Sequence, residues 1–234
     1  TAEEGVAGVV LPRESTLLLS QVPGQSVAIA AEEVDEVVAQ HAPAVFELLQ
    51  EIRLFAAHNE IRLHTWGNRE CCLPVGTTRA TLVDDAADPL QLAGGDVLIL
   101  AEVRGTRTGQ PADADPAHRH PVRLTRVTPG NDEVLGVPVV EIDWEAADAL
   151  PFPLILSAVI EDVLVENVST ARGNVVLADH GRTLPDEILA EPTGEKLYRP
   201  QLAEPEVTQA VPFTGAGAAA DLIVQDPRQA LPQV

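Results

Sequence analysis

Along most of this chain apolar and polar residues alternate in short runs, and Gly, Pro and Asp cut the runs apart. Period-two alternation marks a strand with one buried face. Residues 61–66 show it first, with Ile61, Leu63 and Thr65 on one side and Arg62, His64 and Trp66 on the other. Further strands are predicted over 78–83, 96–103, 121–127, 137–144, 154–168 and 174–178. A Leu73-Pro74-Val75-Gly76 turn precedes the first of these, and Gly94-Gly95 the second. Two weaker strands, 16–19 and 26–30, flank the turn Val22-Pro23-Gly24-Gln25.

Two stretches follow a helical period instead. Val34, Val37, Val38 and His41 fit one face, and Pro43 stands where a new helix would begin. Through residues 44–57, Val45, Leu48, Leu49, Ile52 and Phe55 recur at spacings of three and four, which predicts an amphipathic helix. His58-Asn59 would close it, with Asn59 as a left-handed cap. The expected fold is mainly β, barrel- or sandwich-like, with one or two N-terminal α-helices, α+β overall. Four segments follow from the pattern: an N-terminal extension 1–31, a helical segment 32–60, a β-rich domain 61–184, and a Pro/Ala-rich linker 185–234 leading to a following domain.

Composition sharpens this picture. Of 234 residues, 45% are hydrophobic and only 3% aromatic, so the core must be built from Val, Leu, Ile and Ala. The 19 prolines and 16 glycines favour many short elements over a helical bundle. A net charge of −21 argues against gripping a nucleic-acid backbone, which needs clustered Lys and Arg. It favours basic or neutral partner surfaces. No apolar run reaches membrane-span length, and no basic region precedes an apolar stretch as in a signal peptide. The chain begins at Thr1 and has no Met, which predicts a piece of a longer polypeptide.

Candidate chemistry centres on the adjacent Cys71 and Cys72. With His118 and His120 they could bind zinc, which prefers thiolate and imidazole. The two histidines are two apart and would face the same way on a strand, whereas neighbouring cysteines would face opposite ways. There is also no Cys-x-x-Cys spacing, so reduced thiols and loop histidines are the favoured reading. Asp179-His180-Gly181 could supply a general base and, with Cys72, a nucleophile set. The favoured alternative is a turn in which Asp179 bonds the backbone. Asp84, Asp85, Asp88, Asp113 and Asp115 lack calcium-loop periodicity, and no Lys-Ser/Thr follows Gly94-Gly95-Asp96 to make a phosphate loop. Trp66 and Trp144 are expected as core or interface anchors.

The order of several phrases carries a resemblance. Val45-Phe46-Glu47, Ile61-Arg62-Leu63-His64-Thr65-Trp66 and Glu70-Cys71-Cys72-Leu73-Pro74 come first, followed by Gly76, Thr78 and Ala80. Gly95-Asp96-Val97-Leu98, Ala114-Asp115-Pro116-Ala117-His118-Arg119-His120 and Val122-Arg123-Leu124-Thr125 come next. Asp143-Trp144, Leu150-Pro151-Phe152-Pro153 and Gly173-Asn174-Val175-Val176-Leu177-Ala178-Asp179-His180-Gly181 complete the set. In this order they resemble the baseplate assembly proteins of contractile injection systems, phage-tail-like particles, in their actinobacterial form. The likeness covers residues 44–190, and 198–232 more loosely; residues 1–43 match poorly.

Such proteins are similar to J-like wedge components of phage-tail baseplates. The resemblance implies a structural protein without catalytic residues or cofactor, assembled in the cytoplasm of the producing bacterium. It implies wedge subunits, hub or spike proteins, sheath-proximal proteins and further copies in a ring as partners, and neither nucleic acid nor a membrane span. The loop 105–117 and the Pro-rich tail after Thr183 are the expected places of intersubunit contact.

Overall fold

The alternating runs pair as strands, and every pairing in the computed structural model is antiparallel among the residues it describes. Those residues are 8–13, 16–24, 28–181, 183, 187–189, 191–192, 194, 197–203, 211, 213, 217–223 and 226–230. In chain order the early elements are β1 (Val9–Leu11), β2 (Leu17–Leu19), α1 (Val34–His41), β3 (Val45–Leu48), β4 (Ile52–Leu54) and β5 (Ile61–Arg62). Then come β6 (Cys71–Leu73), β7 (Arg79–Val83), β8 (Val97–Glu102), β9 (Arg119–Asp132) and β10 (Val137–Trp144). The last are β11 (Leu154–Ile160), β12 (Val163–Val165), β13 (Ser169–Arg172), β14 (Ala178–His180) and α2 (Ala219–Ile223). The protein is mainly β, and among the described residues no helix is long and apolar enough to cross a membrane.

The chain divides into two compact units. The larger takes its described residues from 8–11, 51–176 and 217–223. Its main sheet has six strands in the order β5-β13-β8-β9-β10-β7. That sheet curls until its outer strands meet: Leu63 bridges Leu82, and the His64 N–H donates to the Thr81 carbonyl at 2.8 Å. Closing a sheet in this way removes exposed edges. The interior is aliphatic, as the scarcity of aromatics requires; Leu82, Leu98, Leu100, Val122, Leu124 and Ile142 are all essentially sealed from solvent. A register shift in β9 opposite Asp143 and Trp144 bends the long β9–β10 ribbon. A second sheet, β12-β11-β6, belongs to the same unit, as does the pair β1-β4.

The smaller unit contains α1 and the sheet β14-β3-β2. Leu48 is its best-buried strand residue, and Glu47 accepts bonds from the Thr183 N–H at 2.8 Å and hydroxyl at 2.6 Å.

Several expectations are corrected. The helix over 44–57 does not form: β3 and β4 occupy it, with a short 3-10 turn over Ala56–His58. Its three-and-four spacing came from two short strands separated by a bend. Long-range pairing decides the matter, because β3 is flanked by both β2 and β14, and β4 pairs with β1. The helical segment 32–60 therefore shrinks to α1 and the 3-10 turns Ala31–Glu33 and Ala56–His58, and Asn59 lies at φ −64°, not in a left-handed cap. Ala42 is the left-handed cap of α1, with φ 44° and its N–H on Val38.

Within 26–30, residues 28–30 are irregular and 26–27 lie outside the described residues. Of 174–178 only Ala178 lies in a strand, and 154–168 splits into β11 and β12 at a tight turn. The β-rich unit begins at Glu51 rather than 61, and its main stretch ends at Val176 rather than 184. Residues 217–223 are not free linker. The buried Asp148 carboxylate accepts the N–H groups of Ala219 (2.9 Å) and Ala220 (3.0 Å), and Arg123 Nε donates to the Gly217 carbonyl at 2.9 Å. The remainder of 185–234 lies largely outside the described residues.

Candidate functional site

The turn Trp66-Gly67 begins the site. Trp66 has φ 55°, unusual for a bulky residue, and Gly67 has φ 74°. The Asn68 N–H closes the turn on the Thr65 carbonyl at 3.0 Å, and the Asn68 carbonyl accepts the Ser157 hydroxyl at 3.1 Å. The strained turn leaves the Trp66 ring largely exposed. It lies edge-on to His64, with ring centroids 4.8 Å apart.

His64 is buried, and its Nε2 bonds the Asp132 carboxylate at 2.9 Å. A carboxylate only accepts, so this nitrogen carries the proton. The other Asp132 oxygen accepts the N–H groups of Val134 (2.9 Å) and Leu135 (3.0 Å). The Leu135 N–H and then His64 are the main causes that hold the Asp132 carboxyl below its ordinary range, against burial, which acts the other way. One buried pair thus fastens the tip of the β9–β10 hairpin.

Beside this pair a cleft of about 270 Å³ opens, its floor made by Cys71, Leu73, Ala80, Ile142 and Leu156 and its rim by Trp66. At the mouth Arg126 grips Asp143 through Nε (2.8 Å) and a terminal nitrogen (2.7 Å), and Arg79 Nε approaches the same carboxylate at 3.7 Å. Both arginines are largely exposed, so these pairs orient side chains more than they stabilise the fold.

Cys71 faces the cleft and the adjacent Cys72 is exposed, as strand alternation requires; both are free thiols. Burial pushes the Cys71 thiol above its ordinary value, with Cys72 adding to the shift, and burial also raises Cys72. Neither is a poised thiolate. His64 and Cys71 line the same cleft, which no local pattern in the chain indicates. Yet the Nε2 proton of His64 is committed to Asp132. The cleft thus joins an apolar floor to polar and charged walls, with His64, Arg79, Thr81, Arg126, Glu141 and Asp143 among its lining residues.

The other candidates are distributed as follows. His118 and His120 do come together, both around Phe152, with ring centroids 4.7 Å and 6.4 Å from it. His118 Nδ1 bonds the buried Glu102 at 2.7 Å, and His120 Nε2 bonds the Asp148 carbonyl at 3.0 Å. Among the described residues no group of three or more His, Cys, Asp or Glu stands where it could hold a metal ion. Asp179 and His180 lie in β14, paired with Glu47 and Phe46, and not in a turn, but Asp179 does bond the backbone, accepting the His180 N–H at 2.8 Å; they belong to the smaller unit and Cys72 to the larger. Trp144 is a core residue, whereas Trp66 is exposed.

Residues that organise the site went unread in the sequence. His64 counted as a polar-side residue, and Asp132, Glu102 and Asp148 carried no local signal. His58 is a further case: it is buried, its Nε2 accepts the Gln91 N–H at 3.1 Å, and burial lowers its pKa despite Asp96 and Asp88. Gly173 lies so close that a Cβ there would be 2.9 Å from the His58 Cβ.

Comparison with protein-family models, with curated proteins and with solved structures finds no match to this chain.

Proposed function

We propose that this chain is a structural, non-enzymatic wedge component of the baseplate of a contractile injection system. In this reading it assembles in the cytoplasm of the producing bacterium with other wedge subunits, hub or spike proteins, sheath-proximal proteins and further copies in a ring. Its work is conformational: a wedge holds the ring in one arrangement until target contact, and rearrangement releases sheath contraction.

The ordered phrases from Val45 to Gly181 support the family reading. The geometric observation that carries a structural role is a curled sheet over a sealed aliphatic interior, with apolar side chains standing outward at turns of the same unit. Trp66, Val134, Leu135, Val163 and Leu164 are all exposed large hydrophobic residues. Exposed apolar groups on a rigid scaffold serve contact with other proteins. The raised thiol values and the engaged histidines are further support, because they weaken the cysteine-hydrolase alternative.

The test is sedimentation of a lysate of the producing organism, with the protein followed by antibody. Co-migration with sheath and tube in one large particle is the expected outcome. Intact particles that sediment without the protein would refute the reading. In the same particles Cys71→Ala with Cys72→Ala should leave assembly intact; loss of a processing event in that variant would point to cysteine chemistry. Stoichiometric zinc that disappears with His118→Ala and His120→Ala would restore the metal module.

A further inference from the structure

The hairpin β11–β12 turns through Glu161 and Asp162, whose φ values of 48° and 64° are those of a two-residue type I′ turn. In such a hairpin the closing pair, Ile160 with Val163, exchanges its hydrogen bonds, as does Ala158 with Val165. Leu164, opposite Val159, therefore turns its N–H and C=O away from β11. β12 is the outer strand of its sheet, and among the described residues no backbone bond reaches that outer side. Val163 is 63% exposed and Leu164 39%.

A bare apolar edge of this kind is a template for another strand. It is also held ready. Gly109, at φ 68°, comes so close to the hairpin that a Cβ there would be 3.0 Å from Val165 and 3.7 Å from Ile160. The loop that carries Gly109 is itself fastened: Arg104 donates to the Gly109 carbonyl at 3.3 Å, Thr108 to Asp113 at 2.6 Å, and the Asp115 N–H to Glu102 at 3.0 Å.

Charge selects the occupant. The hairpin tip reads Glu161-Asp162-Val163-Leu164-Val165-Glu166, with three carboxylates and no basic residue. A second copy laid against this edge would bring two such sets together, on chains that each carry a net charge of −21. A segment with Lys or Arg beside its apolar residues would meet the carboxylates while its backbone satisfied Leu164. We infer that the outer edge of β12 accepts, as an added strand, an extended basic segment of a partner protein. This goes beyond the baseplate reading and does not depend on it.

The experiment uses the full chain and a short peptide of alternating lysine and valine. Its readouts are calorimetric binding and exchange of the Leu164 amide followed by NMR. Binding should slow that exchange by about tenfold or more, while a glutamate-valine peptide leaves it unchanged. Leu164→Pro removes the outward N–H without touching the bonds to β11, and should weaken binding by about tenfold. Glu161→Gln with Glu166→Gln should weaken it by a smaller factor. Two results would overturn the inference. One is equal binding by wild type and Leu164→Pro with the Leu164 amide unprotected, which would mean diffuse attraction to an acidic surface. The other is protection of that amide that grows with protein concentration and no peptide, which would assign the edge to a second copy. The exchange measurement on the unmodified chain decides the matter even if the proline variant folds poorly.

Discussion

The hairpins β9–β10 and β11–β12 both carry exposed apolar residues at or beside their turns, and they are held in opposite ways. The first is part of the barrel wall, and its tip is tied inward by Asp132, which spends one oxygen on His64 and the other on the N–H groups of Val134 and Leu135. The second is anchored lower down, by the buried Ser157 on Asn68 and Cys71, and among the described residues no buried carboxylate ties its tip. It rests against Gly109 and leaves one side of β12 open. Exposed apolar residues at a turn therefore do not by themselves define a binding edge. Val134 and Leu135 have their N–H groups satisfied from within, whereas Leu164 has its own turned outward, and only the latter offers a strand to pair with.

The comparison can be broken most strongly in the wall. Ile142→Ala in β10 should cost about 2–5 kcal/mol, since Ile142 is fully buried and the closed sheet cannot collapse around the void. Denaturant melts should show it as a global loss, with both hairpins unfolding together. Gly109→Val comes next, at about 1–3 kcal/mol, because a side chain there meets Val165 and the backbone lies at positive φ. Its exchange signature should be confined to β11–β12 and the 105–117 loop. Leu164→Ala should change stability by no more than about 0.5 kcal/mol, as an edge residue makes few contacts. If it proves as costly as Ile142→Ala, β12 is a core element and the contrast fails.

Acid sharpens the same contrast. Asp132 is held below its ordinary value of 3.8, so between the two values the unfolded chain binds more protons than the folded one. Its contribution is complete above 3.8 and disappears as pH falls through the folded value. His58 is lowered from 6.5 by burial, so its contribution is complete above 6.5 and is lost as pH falls through its lower folded value. Both make the larger unit acid-sensitive. Thermal melts of Asp132→Asn against wild type should lose the lower limb of that dependence and keep the upper one. An unchanged profile would mean that the hairpin tip does not rest on the Asp132 charge.

Where a contact is local or periodic, it could be read in advance. β7, β8 and β10 lie where alternation indicated, because a strand with one buried face must repeat every second residue. His118 and His120, two apart at the start of β9, do both meet Phe152, although His118 lies just before the strand. The error at 44–57 has the converse cause. A spacing of three and four is shared by one helix and by two strands joined through a bend, and only the partners β1, β2 and β14 decide between them.

The amino-acid order by itself therefore determined the β-rich class, the aliphatic core, the acidic surface and most strands of the wall, though not β13, which falls between the predicted strands 154–168 and 174–178. Each of these depends on residue type and on neighbours a few positions away. Tertiary structure decided the closure of the sheet, the buried His64–Asp132 pair and the docking of Ala219 and Ala220 on Asp148. It also decided which edge stays open. In each case the partners lie far apart along the chain, and a buried carboxylate or an unpaired N–H takes its meaning from what stands opposite it, which no local pattern records.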